Sequence, residues 1–159
     1  MFYRRFVHRK ARWIFDRFSD GDWEALVDSE APELVFEYPG KHALGTTLND
    51  RDLVGLWYQR FFRFFPDIKF DVKNVLMKGT PLKTTVVVEW EAHATMPDGQ
   101  PYDNQGVHIL IIEKAKATGI RVYLDTQKKA AKLQSLAESG FEEATAPPIT
   151  NADAATALG

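Results

Sequence analysis

Apolar residues recur at two different periods along the chain, and the change between them falls near Ile68. Before Ile68 they lie three or four residues apart, which is the spacing of one face of a helix. After Ile68 they alternate with polar residues, as they do on a strand that is buried on one side. The first part of the chain is therefore predicted to be mainly helical, and the second part to be a run of strands.

Three helices are predicted in the first part. The first spans Phe2 to Phe18 and has a basic face, which is interpreted as solvent-exposed rather than as a phosphate or lipid site. A short second helix is capped by Asp20 or Asp22 and ends before Pro32. "ELVFEYPG" then predicts a short strand, and the next ten residues are predicted to be irregular. The third helix, rich in aromatic residues, begins near Thr47 or Asn49 and stops at Pro66.

Four strands and a final helix are predicted after Ile68. The strands are "IKFDVKNVLM", "KTTVVVEWEAHATM", "YDNQGVHILIIE" and "IRVYLD", with hairpins at "MPDGQ" and "KAKATG". The helix runs from Gln127 to Ser139 and ends at Gly140. Residues 1–140 are predicted to be a single domain, and the Ala-, Thr- and Pro-rich residues 141–159 a disordered or loosely docked tail.

Helices that precede a long antiparallel meander indicate an α+β fold, with the helices on one face of the sheet. A curved sheet that wraps around the N-terminal helices leaves a cone-shaped pocket between the two layers, closed off by the C-terminal helix. Such concave pockets are the usual position of small-molecule sites. The fold pattern therefore directs attention to side chains on the inner face of the sheet.

Composition removes several function classes. The formal net charge of −2 gives no overall electrostatic reason to bind nucleic acid or an anionic membrane, so neither partner is expected. The chain has no cysteine, which excludes disulfides and thiolate chemistry. With neither an export signal nor an apolar run of about 20 residues, a cytoplasmic location is predicted. No phosphate-binding loop, nucleophile elbow or metal-ligand spacing is present, so neither a metal nor a cofactor is expected.

Three segments carry a family resemblance: "ALGTTLNDRDLVGLWYQRFFRFFPDIKF", "DGQPYDNQGVHIL" and "IRVYLDTQ". In this order, and over about Ala11 to Leu136, they resemble the SnoaL-like branch of the nuclear transport factor 2-like superfamily, which includes polyketide cyclases and ketosteroid isomerases. The resemblance implies a cone of curved sheet, a ligand inside the cone, and a homodimer formed through the outer face of the sheet. The fold hosts unrelated chemistries, so it does not by itself define an activity.

The resemblance implies a catalytic pair, Asp125 and His108. Asp125 follows the last strand and is similar to the acid/base aspartate of the cyclases, and His108 resembles their neighbouring histidine. A carboxyl in an apolar cone has a raised pKa, which suits proton abstraction beside a carbonyl. Two structural interpretations stay open: Asp125 as the N-cap of the final helix, and His108 as a core histidine hydrogen-bonded to its surroundings.

Six further residues are candidates for ligand binding. Asn104 and Tyr123 are proposed as neutral donors at the cavity mouth, Tyr38, Trp57 and Trp90 as aromatic walls, and His42 as a residue at the entrance. For the two tryptophans, a purely structural place in the core is the stronger interpretation. Glu37 is a rival base, but strand alternation allows only one of Glu37 and Tyr38 to face the ligand.

Together these features predict a cofactor-independent isomerase or cyclase that moves protons on an apolar, carbonyl-bearing ligand resembling a polyketide or a steroid. The chain lacks a tyrosine deep in the first helix, which argues against ordinary ketosteroid isomerase chemistry. The alternative is a ligand-binding or dimeric assembly module of the same fold without catalysis. If the His108 and Asp125 side chains converge on one cavity, the catalytic pair is favoured. If they point apart, the structural interpretations are favoured.

Overall fold

The computed structural model describes residues 1–154 and contains, within them, four α-helices and one six-stranded sheet. Two short 3₁₀ turns follow the last helix, at Glu142–Thr145 and Asn151–Asp153. The helices and strands are α1 (Phe2–Ser19), α2 (Trp23–Asp28), β1 (Glu30–Tyr38), β2 (Thr46–Leu48), α3 (Arg51–Phe64), β3 (Lys69–Thr80), β4 (Lys83–Thr95), β5 (Pro101–Glu113), β6 (Lys116–Leu124) and α4 (Thr126–Glu138).

The sheet has the strand order β2-β1-β6-β5-β4-β3. All neighbours are antiparallel except β1 and β6, which are parallel because the chain crosses the sheet between them. The register shifts between Val72 and Asn74 on β3 and between Ile111 and Ile112 on β5. Such irregularities bend strands and increase their twist. The result is a curved, unclosed sheet in an α+β fold, as the hydrophobic pattern predicts.

The core lies between the concave face of the sheet and helices α1 and α3. Phe15 of α1 packs edge-on against His108 of β5, with ring centroids 5.1 Å apart. Phe36 of β1 packs against Trp57 of α3 at 4.8 Å. These aromatic contacts join both helices to the inner face, where alternate residues of β4, β5 and β6 are buried. The helices therefore form one layer and the sheet the other.

Carboxylates cap α2, α3 and α4 at their N-termini, and the cap of α4 is Asp125. Asp22 accepts a hydrogen bond from the Ala25 N–H, and Asp50 accepts from the N–H groups of Asp52 and Leu53. Helix α3 begins later than predicted, because residues 46–48 form β2 and pair with the end of β1. A side-chain oxygen at the cap satisfies backbone donors that have no partner inside the helix.

Residues 141–154, part of the segment predicted to be a disordered or loosely docked tail, pack against the domain. Phe141 packs on Phe64 with ring centroids 5.8 Å apart, and Ile149 is buried. The Glu143 carboxylate accepts two hydrogen bonds from the Arg63 guanidinium, at 2.7 and 2.5 Å. A few anchoring contacts thus dock a segment whose composition alone suggested disorder. The rest of that prediction, residues 155–159, lies outside the described residues.

Within residues 1–154, no helix combines the length and the apolar character that crossing a bilayer requires.

Candidate functional site

An apolar cavity of about 300 Å³ lies between α1, the start of β1 and the inner faces of β5 and β6. We call it the main cavity. Its deep end is formed by buried side chains, among them Phe18, Tyr58 and His108, and its mouth by the partly exposed Tyr3 and the exposed Pro81. The volume is at the lower end of the range for small-molecule sites in proteins.

His108 lies at the deep end of the main cavity with 6 % of its surface exposed. The Trp90 indole donates a hydrogen bond to His108 Nδ1 at 2.8 Å. An indole N–H is a donor only, so Nδ1 must be unprotonated and the neutral ring carries its proton on Nε2. Burial lowers the pKa of His108 to about 3. The ring is therefore a neutral donor near neutral pH rather than a base.

Glu30 lines the same cavity, and it is 1 % exposed. The Tyr58 hydroxyl donates a hydrogen bond to Glu30 Oε1 at 2.5 Å, whereas Oε2 has no partner among the described residues. Burial raises the pKa of Glu30 to about 8, although the Tyr58 hydrogen bond and the Arg51 charge act in the opposite direction. A buried carboxyl with one uncommitted oxygen and a pKa near neutrality has the properties of an acid/base group.

Glu30 and His108 bring two different kinds of polar group to the main cavity. The carboxyl can take up or release a proton near neutral pH, and the imidazole can only donate a hydrogen bond unless its surroundings change. Tyr58 stays protonated, because burial raises the pKa of its hydroxyl well above the ordinary value. The remaining lining is largely apolar, so charges that develop on a ligand would be felt strongly.

A second, much smaller cavity lies behind His108, with a volume of about 20 Å³. His108 and Phe18 form the wall that it shares with the main cavity. Tyr38, Trp57 and Trp90 line this small cavity rather than the main one. The space is sufficient for about one water molecule, so these three aromatic residues are core packing rather than ligand walls in this structure.

Lys129 of α4 reaches into the small cavity, and it is 1 % exposed. Its Nζ atom lies 4.0 Å from the ring centroid of Phe65 and 4.4 Å from that of Tyr102. Burial lowers the pKa of Lys129 well below its ordinary value. Aromatic faces stabilise a nearby cation, but they do not replace the hydration that an ammonium loses on burial.

The structure does not bring Asp125 to His108. Asp125 is exposed at the end of β6, and its side chain accepts a hydrogen bond from the Lys128 N–H at 2.9 Å, as the N-cap of α4. His108 pairs across the sheet with Val122, which lies three residues before Asp125 in the chain. Asp125 lines neither cavity. Of the two interpretations of Asp125 from the sequence, the geometry matches the helix cap.

Asn104 is a structural link rather than a group at the cavity mouth. Its amide nitrogen donates to the Tyr102 hydroxyl at 2.8 Å and to the Asp125 carbonyl at 3.2 Å. Its side-chain oxygen accepts from the Asp125 N–H at 3.3 Å. Asn104 is buried and holds the end of β6 against β5, so it positions the start of α4.

Tyr123 and Glu37 lie on the outer face of the sheet. The inner face of β6 is taken by apolar residues such as Val122, so strand alternation directs Arg121 and Tyr123 outward. Tyr123 is half exposed, and Glu37 faces Arg121, with 3.7 Å between the carboxylate oxygen and the guanidinium nitrogen. Tyr123 lines neither cavity, and Tyr38 is the member of the Glu37/Tyr38 pair that faces inward.

His42 lies beside Tyr38, with ring centroids 6.3 Å apart, and not at the entrance of the main cavity. Its Nδ1 accepts a hydrogen bond from the Leu44 N–H at 3.2 Å. Burial, followed by the charge of Lys129, lowers the pKa of His42 to about 4. A Cβ atom at Gly40, which has a φ of +114°, would lie 2.3 Å from the His42 ring, so the loop needs a glycine there.

Sequence reasoning missed Glu30, Tyr58 and Lys129. Glu30 stands in an acidic stretch, "DGDWEALVDSEAPE", which was predicted only to cap and form the short second helix. The strand β1 starts at Glu30, two residues before Pro32, and this start buries the carboxyl. Burial of one acidic residue among six has no local signal, because it depends on what packs against it.

Among residues 1–154, no group of three or more histidine, aspartate or glutamate side chains is arranged to hold a metal ion. The outer-face pair of His93 and Asp103, 2.5 Å apart, is an exposed contact across two strands.

The chain matches the model of the SnoaL-like domain over residues 11–120. A search of curated protein sequences finds no match to the chain.

Solved structures share the fold at low sequence identity. A nuclear transport factor 2-like protein of unknown function from Burkholderia pseudomallei is 17% identical, with a TM-score of 0.69 over 78% of this chain and 94% of that one. PrhC from Penicillium brasilianum is 18% identical, with a TM-score of 0.69 over 82% of this chain and 87% of that one. A candidate polyketide cyclase from Xanthomonas campestris is 14% identical, with a TM-score of 0.55 over 77% of this chain and 92% of that one. The matched domain covers more than half of the chain, and the chain therefore belongs to the SnoaL-like domain family, with a nuclear transport factor 2-like fold.

Proposed function

We propose that the protein is an acid/base enzyme that acts on a small, apolar, carbonyl-bearing molecule in the main cavity. The observation that carries the proposal is the presence of Glu30 and His108 in the same apolar space, one with an uncommitted carboxyl oxygen and the other with a donor Nε2–H. In this proposal Glu30 takes the acid/base role that the sequence resemblance implied for Asp125. His108 acts as a hydrogen-bond donor to the ligand.

The proposed reaction begins with the ionised Glu30 carboxyl, which removes a proton from the carbon next to the ligand carbonyl. The electrons of that C–H bond form a carbon–carbon double bond, and the carbonyl oxygen gains the negative charge. His108 donates its Nε2–H to this oxygen. The hydrogen bond is stronger in the transition state, where the oxygen is becoming negative, than in the bound ketone. If the ligand has a carbon–carbon double bond between its β and γ carbons, Glu30 returns the proton to the γ carbon of the dienolate, which completes an isomerisation. If it has a second carbonyl, the enolate carbon attacks that carbonyl and Glu30 returns the proton to the new alkoxide, which completes an aldol closure.

The pKa of Glu30 agrees with this role. With a pKa of about 8, roughly one carboxyl in ten is ionised at pH 7, and that carboxylate is a stronger base than a solvent-exposed one. Tyr58 donates to Oε1 and so orients the carboxyl, while Oε2 has no hydrogen-bond partner among the described residues. An apolar site without competing water also strengthens the hydrogen bond from His108 to a developing oxyanion.

The lining favours a neutral, compact ligand. Apolar surface exceeds polar surface in the main cavity, and the polar side chains that face it are few. A fused bicyclic ketone has the flat shape and the single polar group that this arrangement suits. The structural similarity to a candidate polyketide cyclase supports a carbonyl-rich ligand, without defining it.

Exchange of carbon-bound protons tests the proposal without knowledge of the natural substrate. 1-Tetralone is incubated with the protein in D₂O, and the loss of the proton signal beside the carbonyl is followed by NMR. The wild-type protein should accelerate the exchange, and Glu30→Gln should lower the rate on the order of 10²- to 10⁴-fold. Asp125→Asn, which removes an ionisable carboxyl outside the cavity, is the matched control and should keep the wild-type rate.

Two outcomes contradict the proposal. If Asp125→Asn abolishes exchange and Glu30→Gln does not, the acid/base group is Asp125, as the sequence resemblance implied. If the wild-type protein binds bicyclic ketones, as a thermal shift shows, but no member of a panel of them exchanges protons, the protein is a binding module rather than an enzyme.

We also propose that two copies pair through the outer face of the sheet. Val107, Ile109 and Ile111 of β5 are only partly buried on that face, and the exposed Tyr123 lies directly opposite Val107. A contiguous apolar patch on a sheet face is typical of a protein interface. Light scattering should show a dimer for the wild-type protein and a monomer for Ile109→Asp. A wild-type monomer at high concentration would refute the pairing.

A further inference from the structure

Four exposed apolar side chains lie at, or within two residues of, positions that line the main cavity. Met1 and Phe2 are 93 % and 90 % exposed, Phe6 is 48 % exposed, and Leu82 is 80 % exposed. Phe2 and Phe6 lie four residues apart on α1 and therefore share one side of the helix. Leu82 is in the turn between β3 and β4. Exposed aliphatic and aromatic side chains that cluster in this way mark an interaction site.

Hydrogen bonds hold this cluster together. The Tyr3 hydroxyl donates to the Thr80 carbonyl at 3.3 Å and also contacts the Thr84 hydroxyl. The first turn of α1 is therefore fixed against the turn between β3 and β4. Pro81 of that turn and Phe6 of α1 both line the main cavity. The apolar cluster and the cavity mouth are thus one surface, which we call the mouth surface.

Basic side chains are added to the mouth surface by α1 and by the hairpin between β5 and β6. They are all exposed: Arg5 and Arg9, which share the Phe2 and Phe6 side of α1, and Lys114 and Lys116, of which Lys116 also donates to the Asp28 carbonyl.

Few acidic groups oppose these charges. The first turn of α1 contains no acidic residue, and the nearest hairpin carboxylate, Glu113, is engaged by Lys83 at 3.2 Å. The proximity of Lys116 contributes, after burial, to lowering the pKa of Lys10, which is expected where positive charges gather. The chain has a net charge of −2 overall, but this end of it is positive.

We propose that the mouth surface docks on an anionic phospholipid bilayer. Phe2, Phe6 and Leu82 would enter the boundary between headgroups and acyl chains, and the basic side chains would contact lipid phosphates. A second copy of the chain is a poorer occupant, because it would bring a surface of the same positive charge against this one. Net charge alone argued against a membrane partner, whereas the distribution of charge favours one.

Docking in this orientation would place the cavity mouth on the bilayer. An apolar ligand that partitions into the membrane would then enter the cavity without crossing water. This statement about ligand delivery rests on the proposed function, whereas the docking itself does not, since it needs only the surface residues.

Vesicle flotation of the full chain tests the docking. The probes are vesicles of phosphatidylcholine with about 30 mol % phosphatidylserine, and vesicles of phosphatidylcholine alone. The protein should float with the anionic vesicles and not with the neutral ones. Raising the salt from about 0.1 M to about 1 M, which shortens the Debye length from about 10 Å to about 3 Å, should release most of it.

Substitutions at exposed positions identify the surface. Phe2→Ser combined with Phe6→Ser should lower binding on the order of tenfold, as should Arg5→Glu combined with Arg9→Glu. The matched control is Leu56→Ser, which removes a 42 % exposed leucine from α3, away from the mouth. It should leave binding unchanged.

The proposal fails if the wild-type protein does not float with anionic vesicles, or if Leu56→Ser weakens binding as much as the aromatic pair does. It also fails if the aromatic pair changes the molecular mass in light scattering, because the surface would then contact a second copy. The assay contains no ketone, so vesicle binding without proton exchange would reject the proposed enzyme function alone, and proton exchange without vesicle binding would reject the docking alone.

Discussion

Replacing Glu30 by glutamine should make the protein more resistant to unfolding at alkaline pH. The native carboxyl has a pKa of about 8, against an ordinary value of 4.5. Between these two values the native state holds a proton that the unfolded state has released, so the stability of the wild-type protein falls as the pH rises. Glutamine does not titrate, and its side-chain oxygen can still accept the hydrogen bond from Tyr58.

The magnitude follows from the shift of about 3.5 pH units. Each unit corresponds to about 1.4 kcal/mol, so the variant should gain up to about 5 kcal/mol relative to the wild-type protein between pH 4.5 and pH 8. The difference should be constant below pH 4.5 and above pH 8. Other titrating groups are common to both proteins, and their contributions cancel in the difference.

Urea unfolding at half-unit steps from pH 5 to pH 9, followed by tryptophan fluorescence, measures this difference. Glu24→Gln, which removes an exposed carboxylate from α2, is the control and should follow the wild-type curve. A free-energy difference between Glu30→Gln and the wild-type protein that does not change from pH 5 to pH 8 would refute the reasoning, because it would mean that Glu30 ionises in the folded protein at no cost.

Three further changes test other parts of the structure. His108 has a pKa of about 3 against 6.5 when unfolded, so it should cost the wild-type protein up to about 5 kcal/mol as the pH falls through this range, and in a urea series the total loss should be smaller by that amount in His108→Gln. Asp125→Ala should destabilise the protein by about 1 kcal/mol through loss of the α4 N-cap, with Asp125→Asn nearly neutral in the same unfolding assay. Lys129→Met should raise the urea midpoint at pH 7, because it replaces a buried amine with an apolar side chain of similar length; a lower midpoint would show that the amine stabilises the core.

Local sequence patterns account for most of the secondary structure. The change of period near Ile68 predicted a helical part and a four-stranded meander, and strands β3 to β6 confirm the second of these. The short strand β2 was missed, since its three residues have no period of their own and are ordered by pairing with β1. The docking of residues 141–154 has no local signal for a related reason: it depends on partners such as Phe64 and Arg63, about 80 residues away.

The inner face of β5 was also accessible to pattern reasoning. Alternation placed His108 among apolar residues, and the structure puts it beside Trp90, whose position opposite Gly106 follows from the register of β4 and β5. The hydrogen bond between the two rings was not predictable, because it depends on the rotation of both side chains within a packed core.

By itself, the sequence determined the α+β class, the succession of strands β3 to β6, and the presence of one histidine on an apolar strand. These features depend on residues that are close in the chain, where periodicity and turn chemistry act directly. Only the tertiary structure decided that Glu30 is buried beside Tyr58, that Lys129 lies among aromatic rings, and that Asp125 faces solvent. The reason is that the pKa and the accessibility of a side chain are set by groups from distant segments, which meet only when the sheet curves around the helices.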